Sequence, residues 1–123
     1  MRIALIGYGE VGRILAEDLM PQGHAVVAFD IKLRAESGQA LHEHAGRVGV
    51  RLADTHVAAV QGAELIISAV TASQAVPVAQ VCAPGFAKGA FFLDLNSASP
   101  GAKVRAAAIA NAAGARYVDG AVM

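Results

Sequence analysis

A glycine-rich turn, Gly7-Tyr8-Gly9-Glu10-Val11-Gly12, constrains the fold of this chain more than any other feature of its sequence. It follows directly on the apolar run 2–6, and the segment 10–20 behind it has the apolar spacing of a helix. The apolar stripe of that helix is predicted to consist of Val11, Ile14, Leu15 and Leu19. Glycines at these three positions permit a tight turn, a close approach of the backbone to a ligand, and close packing of the helix on a sheet. A strand, a turn and a helix are therefore predicted.

Five further strand-like runs alternate with alanine-rich helical patterns, which is typical of an α/β domain with a parallel sheet. These strands are predicted at residues 25–29, 49–52, 64–70, 90–95 and 116–118. Further helices are predicted at residues 34–44, from a cap at Asp54 to Val60, at 73–81, and at 100–113 with Ser99 or Ser97 as its cap. A chain of 123 residues that is 55% hydrophobic can bury one core. We expect one Rossmann-type domain over residues 1–123, doubly wound and mainly parallel, with strand order 3-2-1-4-5-6.

Asp30 stands at the end of the second predicted strand, where an acidic side chain accepts hydrogen bonds from the ribose of an adenine dinucleotide. The amino terminus of the helix behind the glycines is a ready site for the pyrophosphate. A dinucleotide site is therefore predicted at residues 7–12 and Asp30. The carboxylate repels a 2′-phosphate and favours NAD, whereas Lys32 and Arg34, just beyond it, leave NADP open.

Polar residues also follow the fourth and fifth predicted strands. Because the loops at the carboxyl ends of parallel strands form the ligand crevice, we expect Val70, Thr71 and Ser97 to flank the cofactor. Asn96 and Ser97 carry amide and hydroxyl groups that can orient a substrate or the nicotinamide. The alternative for these positions is an ordinary strand exit and a helix cap.

Several function classes are disfavoured by composition. Ten basic residues balance ten acidic ones and aromatic residues make up 5%, so neither a phosphate-binding surface nor a base-stacking platform for nucleic acid is expected. The four histidines are expected at the surface and no metal site is predicted. A single cysteine, Cys82, fits a reducing cytosol and a place in the core, and no membrane-spanning run is seen, so a cytoplasmic protein is expected.

In the order and spacing of its motifs, the whole chain resembles the amino-terminal cofactor-binding domain of the β-hydroxyacid dehydrogenases, which include 6-phosphogluconate and 3-hydroxyisobutyrate dehydrogenases. The matching segments are residues 5–12, 23–26, 62–70, 94–100 and 117–122. The resemblance implies an NAD(P)-dependent oxidoreductase that acts on the CH–OH group of a small hydroxyacid. Family members commonly carry Leu at Tyr8 and Met at Val11, positions that mainly offer backbone to the phosphates. At Met123 they commonly have a substrate-binding Ser.

The resemblance also implies a helical second domain that supplies a catalytic lysine and mediates homodimer formation. None of Lys32, Lys88 and Lys103 matches that lysine, which would lie beyond Met123. We therefore expect this chain to bind a dinucleotide without turnover. A stand-alone dinucleotide-sensing module without catalysis is the alternative. A methyltransferase of similar topology is less consistent with the turn, because Ile6 stands where an acidic residue usually precedes the first glycine.

Overall fold

Six parallel strands form one sheet in the order β3-β2-β1-β4-β5-β6 in the computed structural model, which describes residues 1–120. The predicted Rossmann-type topology is confirmed. The strands are β1 (Arg2–Ile6), β2 (Ala25–Phe29), β3 (Arg51–Leu52), β4 (Leu65–Ser68), β5 (Phe91–Asp94) and β6 (Arg116–Asp119). The α-helices of these residues are α1 (Glu10–Leu19), α2 (Gln39–Val48), α3 (His56–Val60), α4 (Ala75–Cys82) and α5 (Pro100–Ala112).

The segment between β2 and α2 differs most from the prediction. Asp30 caps a 3-10 turn over Ile31–Arg34 by accepting a hydrogen bond from the Lys32 backbone N–H, and a second 3-10 turn covers Glu36–Gly38. As a result, α2 begins at Gln39 rather than at residue 34, and it continues to Val48, with Gly49 as its C-cap, rather than ending at residue 44. Gly49 adopts a positive φ of 92°, which a C-terminal helix cap favours.

Hydroxyl caps set the starts of two helices. Thr55, not the predicted Asp54, caps α3, since its Oγ1 accepts a hydrogen bond from the Ala58 N–H at 3.0 Å. Ser99 caps α5 as predicted, accepting from the Ala102 N–H at 3.2 Å. The helix predicted at residues 73–81 is two elements in the structure: a 3-10 turn over Ala72–Gln74 and then α4.

Helices cover both faces of the sheet. One apolar cluster lies beneath α1 and α2, and a second lies beneath α3, α4 and α5, where buried Cys82 takes its predicted place in the core. Small residues allow close packing here: Ala102, Ala106 and Ala110 are the buried residues of α5.

The stripe predicted for α1 is wrong at Ile14, which is 51% exposed. The helix instead presents Gly12 and Ala16 to the sheet, because small residues allow the closest approach. Ile14 lies two residues from each of them, about 200° around the helix.

Replacing Gly12 with alanine tests this packing. A Cβ at this position would overlap the carbonyl oxygen of Gly7, so we expect Gly12→Ala to lower the free energy of unfolding by about 2–4 kcal/mol. The matched control is Gly46→Ala, because Gly46 is exposed inside α2 with open space around it. That variant should be unchanged or more stable by up to about 1 kcal/mol. Equal urea midpoints for the two variants would contradict this packing.

Candidate NAD-binding site

The turn after β1 is wedged between the ends of β2 and β4. The N–H of Gly7 donates to the carbonyl of Phe29 at 2.9 Å, and a Cβ at Gly7 would overlap the carbonyl oxygen of Ala69. Gly7 also has a positive φ of 95°, so both sterics and backbone conformation require glycine here. No atom lies within 4 Å of the position that a Cβ would take at Gly9. The fold therefore requires glycine at positions 7 and 12, whereas Gly9 faces open space.

The amino terminus of α1 meets that open space. The backbone bond from the Arg13 N–H to the Gly9 carbonyl, at 2.9 Å, starts the helix. The N–H groups before Arg13 have no partner within the helix, and the helix dipole makes this end positive. Gly9 is the N-cap residue and has no side chain to fill the position. This end of α1 is thus suited to an anionic group.

A cavity of about 440 Å³ lies along the carboxyl ends of β1, β2 and β4. Its wall includes six residues that the sequence indicated, namely Gly7, Gly9, Asp30, Lys32, Val70 and Thr71. It also includes residues that the sequence did not indicate, among them Phe29, Ile31, His56, Gln74, Pro77 and Val81. A mostly apolar cleft with a few convergent polar groups is typical of a cofactor site.

The Asp30 carboxylate is held firmly at the rim of this cavity. Its Oδ2 accepts the backbone N–H of Tyr8 at 2.8 Å, and its Oδ1 accepts that of Lys32 at 2.9 Å. Each carboxylate oxygen has a second lone pair, so both remain able to accept a hydroxyl proton. Asp30 therefore joins the glycine turn to the loop after β2 and still presents acceptors to the cavity.

Tyr8 departs from its expected role. Its backbone N–H is used by Asp30 and is not free for a phosphate, and its side chain is fully buried under α1 and α2. The hydroxyl donates to Nδ1 of His44, whose Nε2 donates to Glu17 Oε1 at 3.0 Å; we assign this tautomer from the network. Burial raises the pKa of Tyr8 to about 12. His44, expected at the surface, is 5% exposed.

Asn96 is buried between the ends of β4 and β5. Its Oδ1 accepts the Val70 backbone N–H at 2.6 Å, and its Nδ2 donates to Ser68 Oγ at 3.0 Å. These bonds use its side chain within the fold, so it positions the cavity wall rather than presenting a free amide. Ser97 is exposed beside it and is not among the residues lining the cavity, and Met123 lies outside the described residues.

His56 is a cavity residue that sequence reasoning placed on the surface. Its ring lies 4.4 Å from the Phe29 ring, centroid to centroid, and burial lowers its pKa. The sequence did contain a signal for this position. His56 is the first residue of the helix that follows β3, so it lies at the same edge of the sheet as Asp30, where a cavity residue is expected. Among residues 1–120, no cluster of His, Cys, Asp and Glu side chains is arranged to hold a metal ion. No helix in this part of the chain is long and apolar enough to cross a membrane.

A family model described as the NAD binding domain of 6-phosphogluconate dehydrogenase matches residues 2–123. The chain belongs to this family. Its fold and glycine turn are thus those of an NAD(P)-binding domain of oxidoreductases. No curated protein gives a significant match.

Three solved structures with the same fold are each more than twice as long as this chain. A conserved hypothetical protein from Sinorhizobium meliloti is 30% identical with a TM-score of 0.91, over 100% of this chain and 42% of that one. Mycobacterium tuberculosis 3-hydroxyisobutyrate dehydrogenase is 23% identical with a TM-score of 0.83, over 96% and 39%. An imine reductase from Myxococcus stipitatus in complex with NADP+ is 21% identical with a TM-score of 0.80, over 100% and 41%. The chain therefore spans about two fifths of each of these proteins.

A double-mutant cycle on Tyr8 and His44 tests the buried network behind the turn. Tyr8→Phe leaves the buried Nδ1 of His44 without its donor, so we expect a loss of about 1–2 kcal/mol in the free energy of unfolding. The cycle Tyr8→Phe, His44→Leu and the double variant should give a coupling energy of about 1 kcal/mol. Strict additivity in urea unfolding would show that the hydroxyl and the imidazole do not interact.

His56 should make stability depend on pH. Its pKa in the folded chain lies below the ordinary 6.5. Well above pH 6.5 the imidazole is neutral in both the folded and the unfolded chain. As the pH falls through 6.5, the unfolded chain binds a proton before the folded chain does, so the free energy of unfolding decreases. The urea midpoint of the wild type should therefore fall more than that of His56→Gln between about pH 7.5 and pH 5.5. Parallel pH profiles would contradict the burial of this ring.

Proposed function

We propose that this domain binds NAD in the 440 Å³ cavity and is the cofactor-binding half of an oxidoreductase that acts on the CH–OH group of a small hydroxyacid. The observation that carries the binding proposal is the contrast within the glycine turn. Gly7 and Gly12 are closed in by protein atoms, whereas Gly9 faces open space at the positive end of α1. A glycine that the packing does not require, placed where an anion is favoured, supports a pyrophosphate at this point.

The remaining cavity residues give the dinucleotide its direction. Asp30, on the β2 side of the turn, would accept the hydroxyls of the adenosine ribose. Ile31 and Val81, with His56 on Phe29, offer apolar and aromatic surface for the adenine. The nicotinamide half would then lie on the β4 and β5 side, near Val70, Thr71 and Ser97. Glu10 and Val11 would contribute their backbone in the first turn of α1.

Charge at the ribose end supports NAD over NADP. A 2′-phosphate would meet the Asp30 carboxylate, which two backbone N–H groups hold in place. Arg34 is directed elsewhere, since its guanidinium donates to the Asp54 carbonyl at 3.3 Å. Lys32 lines the cavity and is the cation that could offset the repulsion in NADP.

When bound, the nicotinamide supplies or accepts the hydride of the reaction. Oxidation of a hydroxyl also needs a group that takes its proton. The cavity residues that can accept a proton, His56 and Asp30, lie on the adenosine side, and the lining residues on the β4 side include none. Lys103 is held by the carboxylates of Asp94 and Asp119. We therefore propose that a helical second domain, implied by the family resemblance, supplies the catalytic lysine and most substrate contacts, with Asn96, Ser97 and Met123 on the substrate side. This domain alone would bind NAD without turnover. A homodimer of the whole protein and a cytoplasmic location are proposed on the same ground.

Calorimetric titration with NADH tests the proposed function. Gly9→Ala places a methyl group where the pyrophosphate would lie, and we expect NADH to bind about tenfold more weakly or worse, a loss of about 1.4 kcal/mol or more. Gly46→Ala is the matched control and should bind like the wild type, because Gly46 lies in α2 and is not among the residues that line the cavity. Equal affinities for the two variants, or no binding by the folded wild type, would overturn the proposal.

A second variant tests the preference for NAD. Asp30→Asn removes the charge and keeps one oxygen, which can take the place of one of the two acceptors for the Tyr8 and Lys32 N–H groups, so urea unfolding must confirm that the variant is folded. The wild type should bind NADH more tightly than NADPH, and the variant should reduce this ratio about tenfold. A wild type that prefers NADPH would assign the ribose end to Lys32 instead.

A further inference from the structure

Lys103 is largely covered at the carboxyl ends of β5 and β6, although it is not among the residues that line the cavity. Its side chain is 12% exposed, and its Nζ lies 3.2 Å from Asp94 Oδ1 and 2.9 Å from Asp119 Oδ1. The same ammonium donates to the carbonyl of Asp94 at 3.2 Å and to that of Gly120 at 3.5 Å. Lysine is rarely buried unless it is paired. Here four oxygen atoms from two strand ends surround one cation.

Asp94 is the centre of this cluster. Its side chain is 1% exposed, and its Oδ2 accepts the Tyr117 hydroxyl at 2.7 Å. Its Oδ1 accepts the Asn96 backbone N–H at 2.9 Å in addition to the Lys103 ammonium. Asp94 and Asp119 are register partners in the sheet, so Lys103 neutralises one of two facing carboxylates.

Because it is protonated, Lys103 can hold the ends of β5 and β6 together but cannot accept a proton. Burial lowers its pKa, but hydrogen bonds and charge interactions with Asp119 and Asp94 outweigh this, so the pKa is raised overall. The ammonium therefore keeps its proton at neutral pH. Its contribution is to hold the ends of β5 and β6 together.

A continuous chain of hydrogen bonds leads from this cation to the cavity wall. Lys103 binds Asp94, Asp94 accepts the Asn96 N–H, and Asn96 Oδ1 accepts the Val70 N–H. Val70 lines the cavity beside Thr71, and Ser97 follows Asn96 directly. The segment that leads from β5 to Ser97 is thus held at its first residues by the cluster around Lys103.

We propose that Lys103 is a positioning residue: it fixes the β5 and β6 strand ends, and through Asp94 and Asn96 it places Val70 and Ser97 for the nicotinamide half of the dinucleotide. This inference rests on the proposed binding of NAD. It assigns Lys103 no contact with the adenosine half, which lies on the β2 side of the glycine turn.

A comparison of NADH with ADP-ribose distinguishes effects on the nicotinamide half of the site from effects on the adenosine half. NADH and ADP-ribose share the adenosine, the pyrophosphate and the second ribose, and ADP-ribose lacks the nicotinamide. We expect the wild type to bind NADH more tightly than ADP-ribose and to shift the nicotinamide fluorescence. Lys103→Met should weaken NADH about five- to tenfold, abolish most of that fluorescence shift, and change ADP-ribose affinity less than about twofold.

Lys103→Met alone leaves the buried Asp94 carboxylate without its charge partner and lowers the stability of the fold. A loss of NADH affinity must therefore be distinguished from unfolding of the variant. The double variant Lys103→Met with Asp94→Asn removes both charges of this pair. Its amide oxygen can accept the Asn96 N–H, and its amide N–H can donate to the Tyr117 hydroxyl, which then acts as the acceptor. Lys103→Arg should restore part of the NADH affinity, since it returns a cation. Thermal unfolding of each variant, with and without ligand, confirms that the folded protein is being compared.

The outcomes are distinct. If the folded double variant loses NADH affinity selectively and Lys103→Arg recovers it, the positioning role is supported. Equal losses for NADH and ADP-ribose, no loss for either, or a wild type that does not distinguish the two ligands would each overturn it. Binding of neither ligand by the wild type would instead show that the proposed function itself is wrong.

Discussion

The close contact between Gly7 and the end of β4 is the constraint on which the rest of the site depends. The turn after β1 must pass between β2 and β4, with its N–H bonded to Phe29 and no room for a Cβ beside Ala69. Once the turn is seated there, Gly12 can pack against Gly7 and α1 starts at a fixed point. The open space above Gly9 is then a consequence of the fold. The amino terminus of α1 is thus left open and positive without any side chain being required, which is the arrangement that favours an anion.

The carboxylates and the amide at the strand ends are hydrogen-bonded to groups of the protein itself. Asp30 joins two loops through backbone N–H groups, Asp94 gathers Lys103, Tyr117 and Asn96, and Asn96 links β4 to β5. Parallel strands end at the same edge of the sheet and no hairpin connects them. In this chain, side-chain hydrogen bonds join the loops that follow them. The same bonds that satisfy buried groups therefore set the geometry of the crevice.

Local pattern was sufficient to predict the fold, because strand and helix periodicities alternate and the glycines mark the first turn. The steric need for glycine at Gly7 and Gly12 also follows from local sequence, whereas the role predicted for Gly9 stays a prediction. Contacts between distant residues were not predictable. Tyr8 reaches His44 across the core, so the surface prediction for His44 was wrong, and the contact of the half-buried His56 with Phe29 in the cavity wall was not predicted. Lys103 looks like an ordinary helix lysine until β6 brings Asp119 beside it.

Mapping the backbone amide resonances of the isotope-labelled domain while NADH is added is the most direct test of the proposed dinucleotide site. The largest shifts should fall on the N–H groups at the amino terminus of α1, on Ile31 and Lys32, and on Val70 and Thr71. Amides at the end of α2, such as Gly46 and Gly49, should not move. Shifts centred away from the glycine turn, or none in a well-dispersed spectrum, would contradict the claim that this turn is a dinucleotide site.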